Sequence, residues 1–168
     1  MVRVEPVGLL WMEALAEGDD VFAARFGIPV VSGWAVFPEV IPTALRSLQD
    51  GVSQEWGLHL FFDDDGALVG NGGWKGPPVD GVAELGYAVA PARRGRGIAS
   101  AVVRELVTRA RAAGVRVVVA HTLPARSAST TVLRRRGFCR TSDAVDPDDG
   151  VVWRWELALA SGPDGAGS

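Results

Sequence analysis

Apolar residues recur along the chain with two different periods, and each change of period marks an element. The clearest run lies at residues 98–113, where Ile98, Val102, Leu106 and Ala110 fall at steps of four, with Val103 and Val107 beside them. That spacing lays one apolar stripe along a helix, and Gly114 supplies a position on which helices commonly end. Residues 8–26 show a rougher helical spacing interrupted at Gly18. Residues 38–49 predict another helix, with Pro42 near its first turn and Gly51 after its end. Between them, residues 28–37 are apolar but broken by Pro29 and Gly33.

From residue 56 the period shortens. Residues 58–62 and 67–74 read as strands around Asp63-Asp64-Asp65-Gly66, a solvated turn whose Asp-Gly pair favours a tight hairpin. Residues 82–89 predict a further strand, and residues 115–120 form a β-branched run suited to a strand buried on both faces. Residues 128–136 read as a short helix stopped by Gly137. Residues 138–141 and 151–159 close the domain as strands joined by an acidic loop at 146–150. Helices, hairpin, strand, helix, strand, helix and strands in that order predict an α/β (α+β) domain around one sheet.

Composition narrows the class. At 168 residues and 48% apolar, the chain fits a single domain over residues 1–159, with a tail at 160–168 (ASGPDGAGS) expected to be disordered. One cysteine, Cys139, excludes a disulfide framework and a cysteine-built zinc site; following Phe138 in a strand, it is expected in the core. His59 and His121 lie too far apart in sequence to suggest a metal pair, so no metal is expected. Acids at Glu5, Glu13, Glu17, Asp19 and Asp20 do not read as a signal peptide, and no apolar run reaches the ~20 residues of a membrane helix. The expectation is a cytoplasmic protein with no membrane partner.

The net charge of -3 conceals a split. Residues 91–140 hold 12 arginines and one acid, a local +11, while the remainder carries -14. An anionic partner on the basic segment is the direct reading of such a field. The segment with chemistry in it is Pro91-Ala92-Arg93-Arg94-Gly95-Arg96-Gly97-Ile98-Ala99-Ser100, between a strand and the long helix. Glycines let the backbone turn with its amides converging, and a helix start adds unpaired donors that attract phosphate. A Walker loop fails, because the only lysine is Lys75. A dinucleotide fingerprint fits poorly: Gly95-x-Gly97 is followed by Ser100, and the next strand ends in Ala120-His121-Thr122 without an acid.

Arg94-x-x-Gly97-x-Ala99 does fit the pattern Arg/Gln-x-x-Gly-x-Gly/Ala, and here the chain resembles the GNAT superfamily of acetyl-CoA-dependent N-acetyltransferases. The resemblance covers about residues 56–141. Ala83-Glu84-Leu85-Gly86-Tyr87 is similar to the family's fourth strand, residues 115–122 to its fifth, and STTVLRRRGF at 129–138 to its final helix and Gly-Phe exit. The run Ala120-His121-Thr122-Leu123-Pro124 is closest to the ribosomal-protein N-terminal acetyltransferase branch. The first 50 residues match nothing assignable; in the family that region shapes the acceptor pocket.

The resemblance implies a mixed, mostly antiparallel sheet of six to seven strands with a V-shaped opening between strands 4 and 5, where acetyl-CoA lies. It implies that Arg94, Gly95, Arg96, Gly97, Ile98, Ala99 and Ser100 hold the cofactor's pyrophosphate, that backbone near Val89 aligns its pantetheine arm, and that Ser129 contacts it. The implied reaction is direct attack of a primary amine, on a small molecule or a peptide N-terminus, on the thioester. Glu84 matches the position of the family's catalytic carboxylate, with a raised pKa expected of such a base. Strand alternation agrees in placing Glu84, Gly86 and Ala88 on one face and Leu85, Tyr87 and Val89 on the other. Trp34, Trp74 and His121 are the acceptor-side candidates, and the acid surplus outside the basic segment would favour a cationic amine.

Two positions depart from the family. The tyrosine expected four residues before the Gly-Phe exit is Leu133, and the asparagine expected two or three residues before Ser129 is Ser127 or Arg126. These departures keep a non-catalytic acyl-CoA-binding module as the alternative. A nucleic-acid surface is disfavoured because the arginines lack interleaved aromatics. A homodimer stays open.

Overall fold

The computed structural model describes residues 1–160. The expectation for the tail, Ala160 apart, lies outside the described residues. A seven-stranded sheet in the order β1-β2-β3-β4-β5-β7-β6 is built from β1 (Arg3–Pro6), β2 (Leu58–Phe62), β3 (Leu68–Trp74), β4 (Val82–Val89), β5 (Val117–Thr122), β6 (Cys139–Asp146) and β7 (Gly150–Ala158). Every neighbouring pair is antiparallel except β4 and β5, which run parallel. Five helices flank it: α1 (Leu9–Glu17), α2 (Asp19–Phe26), α3 (Val40–Gln49), α4 (Ile98–Ala112) and α5 (Ala128–Arg135). Gly18 separates α1 from α2 with a φ of 147° that few other residues tolerate.

Strand alternation sorts the core into two layers. Phe61 of β2 joins Val69, Leu85, Val118 and the stripe Ile98, Val102, Leu106 and Ala110 beneath α4. Leu60 and Phe62, its neighbours in sequence, point the other way, to Met12, Phe22 and Trp34 beneath α1 and α2. Gly70 and Gly72 of β3 leave room for the Phe61 ring: a Cβ at Gly72 would stand 2.9 Å from its Cζ.

Three elements depart from the sequence reading. β1 was not anticipated; only Val4 of its four residues is buried, and its partner is β2, more than fifty residues away. β5 begins at Val117, two residues later than expected, and ends at Thr122, where the family resemblance put its end. β6 runs on to Asp146 as a polar edge strand exposed over its first five residues, and Cys139 is exposed rather than in the core.

Candidate active site

Parallel pairing of β4 with β5 runs from Val82↔Val117 to Leu85↔Ala120 and stops there. β4 continues to Val89 and β5 to Thr122, so the strands part at Gly86 and His121. The amide of Lys75 donates to the carbonyl of Glu84 at 3.0 Å, so Glu84, Gly86 and Ala88 turn their backbone groups toward β3. The N–H and C=O of Tyr87 and Val89 therefore face the open edge. The Val89 carbonyl is already taken, accepting from Arg94 Nε at 3.2 Å, which leaves its amide and both Tyr87 groups for a ligand lying along the edge.

At the mouth of the V stands the glycine turn. Gly95 and Gly97 adopt φ values of 76° and 77°, and a Cβ at either would meet nothing within 4 Å. These glycines answer to backbone conformation alone, which a β-carbon would strain by roughly 1–2 kcal/mol. No side chain caps α4; its first backbone bond runs from Ala101 N–H to the Gly97 carbonyl at 3.1 Å, so the amides of Ile98, Ala99 and Ser100 have no acceptor within the helix. Arg93 ties the turn to the β2–β3 hairpin through Asp63 Oδ2 at 3.4 Å. At the end of α5, Arg136 donates from Nε and Nη2 to Ser100 Oγ at 2.9 and 2.7 Å, bringing another guanidinium to the start of α4. Uncapped amides beside arginines are a donor set suited to a pyrophosphate.

Glu84, Gly86 and Ala88 share the face predicted for them, but the surroundings of Glu84 differ from expectation. Its Oε1 accepts from His121 Nδ1 at 2.8 Å and pairs with Lys75 Nζ at 3.1 Å. Partial burial alone would raise the Glu84 pKa; the hydrogen bonds and charges of His121 and Lys75 outweigh it and hold the carboxyl below its ordinary 4.5. The expected raised carboxyl is thus reversed. An ionised carboxylate only accepts, so His121 Nδ1 carries a proton, and in the neutral imidazole Nε2 is the nitrogen with the lone pair.

A cleft of about 620 Å³ opens on this face. His121, Lys75, Gly86 and Trp74 line it, and α3 forms a wall with Val40, Ala44 and Leu48. Trp56, which sequence reasoning did not single out, packs on Trp74 at 5.5 Å between ring centroids, tilted 60°. Trp34 does not line the cleft. It is 1% exposed, its indole N–H donates to Asp19 at 3.0 Å, and its carbonyl accepts from Asn71 Nδ2 at 3.0 Å. Among the described residues no carboxylate is in the lining, although Glu84 bonds two lining residues, His121 and Lys75, so most of the acid surplus does not belong to this cleft.

Ser129 sits in the first turn of α5, its carbonyl accepting from Tyr87 Oη at 3.5 Å; burial pushes that phenol up to about 12. Ser127 caps α5 in a reciprocal box with Thr130. Leu133 is buried in the core. Among the described residues no group of three or more His, Cys, Asp or Glu could hold a metal ion, and no helix is long and apolar enough to cross a membrane.

His59 is buried, its Nδ1–H bonded to the Gly57 carbonyl at 3.0 Å, and desolvation lowers its pKa from 6.5. The unfolded chain therefore binds a proton there that the fold resists, so acidification below pH 6.5 favours unfolding. The melting temperature should fall between pH 7 and 5, and His59→Asn should flatten that fall.

Solved structures share this architecture. The ribosomal-protein alanine acetyltransferase from Vibrio fischeri aligns with a TM-score of 0.67 at 14% identity, over 96% of each chain. The ribosomal-protein alpha-N-acetyltransferase RimL, in complex with coenzyme A, gives 0.68 at 17% identity, over 96% of each chain. The self-immunity acetyltransferase MccE, in complex with acetyl-CoA and AMP, gives 0.67 at 13%, over 94% of this chain and 92% of its own. At such identities these likenesses speak for the fold. No curated protein matches the chain at significance. The sequence pattern of the acetyltransferase (GNAT) family, however, matches residues 33–138, which include α3, the parting of β4 and β5, the glycine turn and α5. The chain belongs to the GNAT family of acetyltransferases, which transfer acetyl groups from acetyl-CoA.

Proposed function

We propose that this protein acetylates a primary amine by direct attack within a ternary complex, with His121 as the base and Glu84 as the carboxylate that holds it. The observation that carries this reading is the 2.8 Å bond from His121 Nδ1 to Glu84 at the point where β4 and β5 part. Acetyl-CoA supplies an activated acetyl group as a thioester. The amine nitrogen forms the new C–N bond, the C–S bond breaks, the surplus proton leaves the nitrogen, and the sulfur departs to be protonated by solvent.

Each task has a candidate on this chain. The amides of Ile98, Ala99 and Ser100, with Arg94, Arg96 and Arg136, would hold the pyrophosphate; the open edge at Tyr87 and Val89 would align the pantetheine. An alkyl amine with a pKa near ~10.4 is only roughly 0.1% neutral at physiological pH, a penalty of ~4 kcal/mol. A base beside the nitrogen offsets part of it. Glu84, held below the ordinary carboxylate range, is a weak base, but its charge fixes the tautomer and steadies the imidazolium that forms.

The test is release of CoA thiol from acetyl-CoA against a panel of primary amines. Amine-dependent release with a matching N-acetyl product is expected; tight CoA binding without turnover on any amine would favour the acyl-CoA-binding module. Arg136→Ala should raise the dissociation constant of CoA about tenfold, as expected when one charged hydrogen-bonding group is lost, and leave kcat at saturating acetyl-CoA within twofold. Isothermal titration and saturation kinetics check the two halves.

A further inference from the structure

The cleft in front of His121 carries information about the amine. α3 contains no buried residue, yet Val40, Ala44 and Leu48, at steps of four, line the cleft as one apolar stripe. Trp56 and Trp74 also line it, giving it two indoles. The formally charged lining residue is Lys75, already paired with Glu84, and no carboxylate lines the cleft. A second ammonium carried against the α3 stripe and the indoles would meet no carboxylate there, because Glu84, the carboxylate beside the cleft, is already engaged by His121 and Lys75. A peptide would bring backbone amides needing partners. The Asn71 amide on this surface is spent on the Trp34 carbonyl, and Thr43, Ser47, Ser53 and Gln54 are the other small or amide polar side chains in the lining, too few to pair a peptide backbone along its length.

We infer that the acceptor is a small primary amine with an aryl or alkyl body and no second positive charge, held against Val40, Ala44, Leu48, Trp56 and Trp74 with its nitrogen at His121. The inference rests on the acetyltransferase reading above. It replaces the cationic acceptor that the charge split suggested with an apolar one, because the acids lie elsewhere. The cleft volume of about 620 Å³ is in the range of small-molecule sites.

The experiment compares kcat/KM for 2-phenylethylamine, ethylamine, 1,4-diaminobutane and an alanine-initiated hexapeptide at saturating acetyl-CoA. Burial of the ring predicts an advantage for phenylethylamine of roughly 10- to 100-fold over ethylamine, and a larger one over the diamine and the peptide. Leu48→Asp should remove most of that advantage and improve the diamine. Ala44→Leu, which fills the cleft without adding charge, should lower phenylethylamine more than ethylamine and serves if the aspartate variant does not fold. A diamine or peptide equal to or better than phenylethylamine overturns the inference and leaves the acetyltransferase reading standing. If no amine is acetylated, the activity reading fails. The inference is then decided by titrating phenylethylamine into the CoA-loaded protein: binding tighter than that of ethylamine and the diamine supports it, and no preference overturns it.

Discussion

Replacing His121 by alanine lowers kcat/KM for the amine by about 10²- to 10⁴-fold, the range over which a positioned acid–base group contributes, while CoA binding stays within twofold. The split between chemistry and cofactor binding follows from placement. His121 lies at the end of β5, on the face shared with Glu84, whereas the glycine turn belongs to the start of α4. The charged groups around the imidazole are Glu84 of β4, Lys75 just after β3, Asp146 at the end of β6 and Arg154, its register partner on β7. An acidic limb of kcat/KM that depends on His121 marks the imidazole as the base. A Glu84 base would put the limb below pH 4.5, since His121 and Lys75 hold that carboxyl down. Glu84→Gln keeps a hydrogen-bonding group but removes the charge, and should lower kcat about tenfold. A profile unchanged in His121→Ala would remove the imidazole from the mechanism.

Gly72→Ala is expected to destabilise the protein by about 3 kcal/mol or more, the upper end of overpacking penalties. Its Cβ would stand 2.6 Å from Tyr87 Cα and 2.9 Å from Phe61 Cζ, and hard against the Gly86 carbonyl. Two of those neighbours are β4 backbone, and the third is a fully buried ring, so none can yield without moving the strand. For a chain of this size the melting temperature should drop by about 6–12 °C. The displaced segment, Gly86 and Tyr87, is where β4 leaves β5, so CoA affinity should fall with stability. Gly95→Ala makes the contrast, because its β-carbon meets nothing and only the φ of 76° resists it. Thermal melts followed by circular dichroism separate the pair: equal losses would mean that the β3–β4 contact is less tight than described.

Much of this arrangement is written locally in the sequence. The α4 stripe, the Asp-Gly hairpin and the glycine turn rest on short-range rules of period and backbone conformation, and each stands where those rules put it. Alternation found the face of Glu84. It did not find what stands beside Glu84, because Lys75 and His121 arrive from two other strand ends. β1 and β6 were illegible or truncated for one reason: edge strands with few buried side chains leave no apolar pattern, and their pairing partners are settled by tertiary structure. The tryptophans show the same limit. Nothing local distinguishes Trp34, tied by Asp19 and Asn71 into the core beneath α1 and α2, from Trp56, which lines the cleft.

Direct transfer can be read in a single turnover. The protein loaded with one equivalent of acetyl-CoA is mixed with a primary amine it accepts, quenched, and resolved by mass into free amine, N-acetylated amine and intact chain. Acetylated amine should appear in step with free CoA while the protein's mass stays unchanged, because the amine attacks the thioester itself at His121. Acetyl groups accumulating on the chain before any product, or CoA release without acetylated amine, would contradict it.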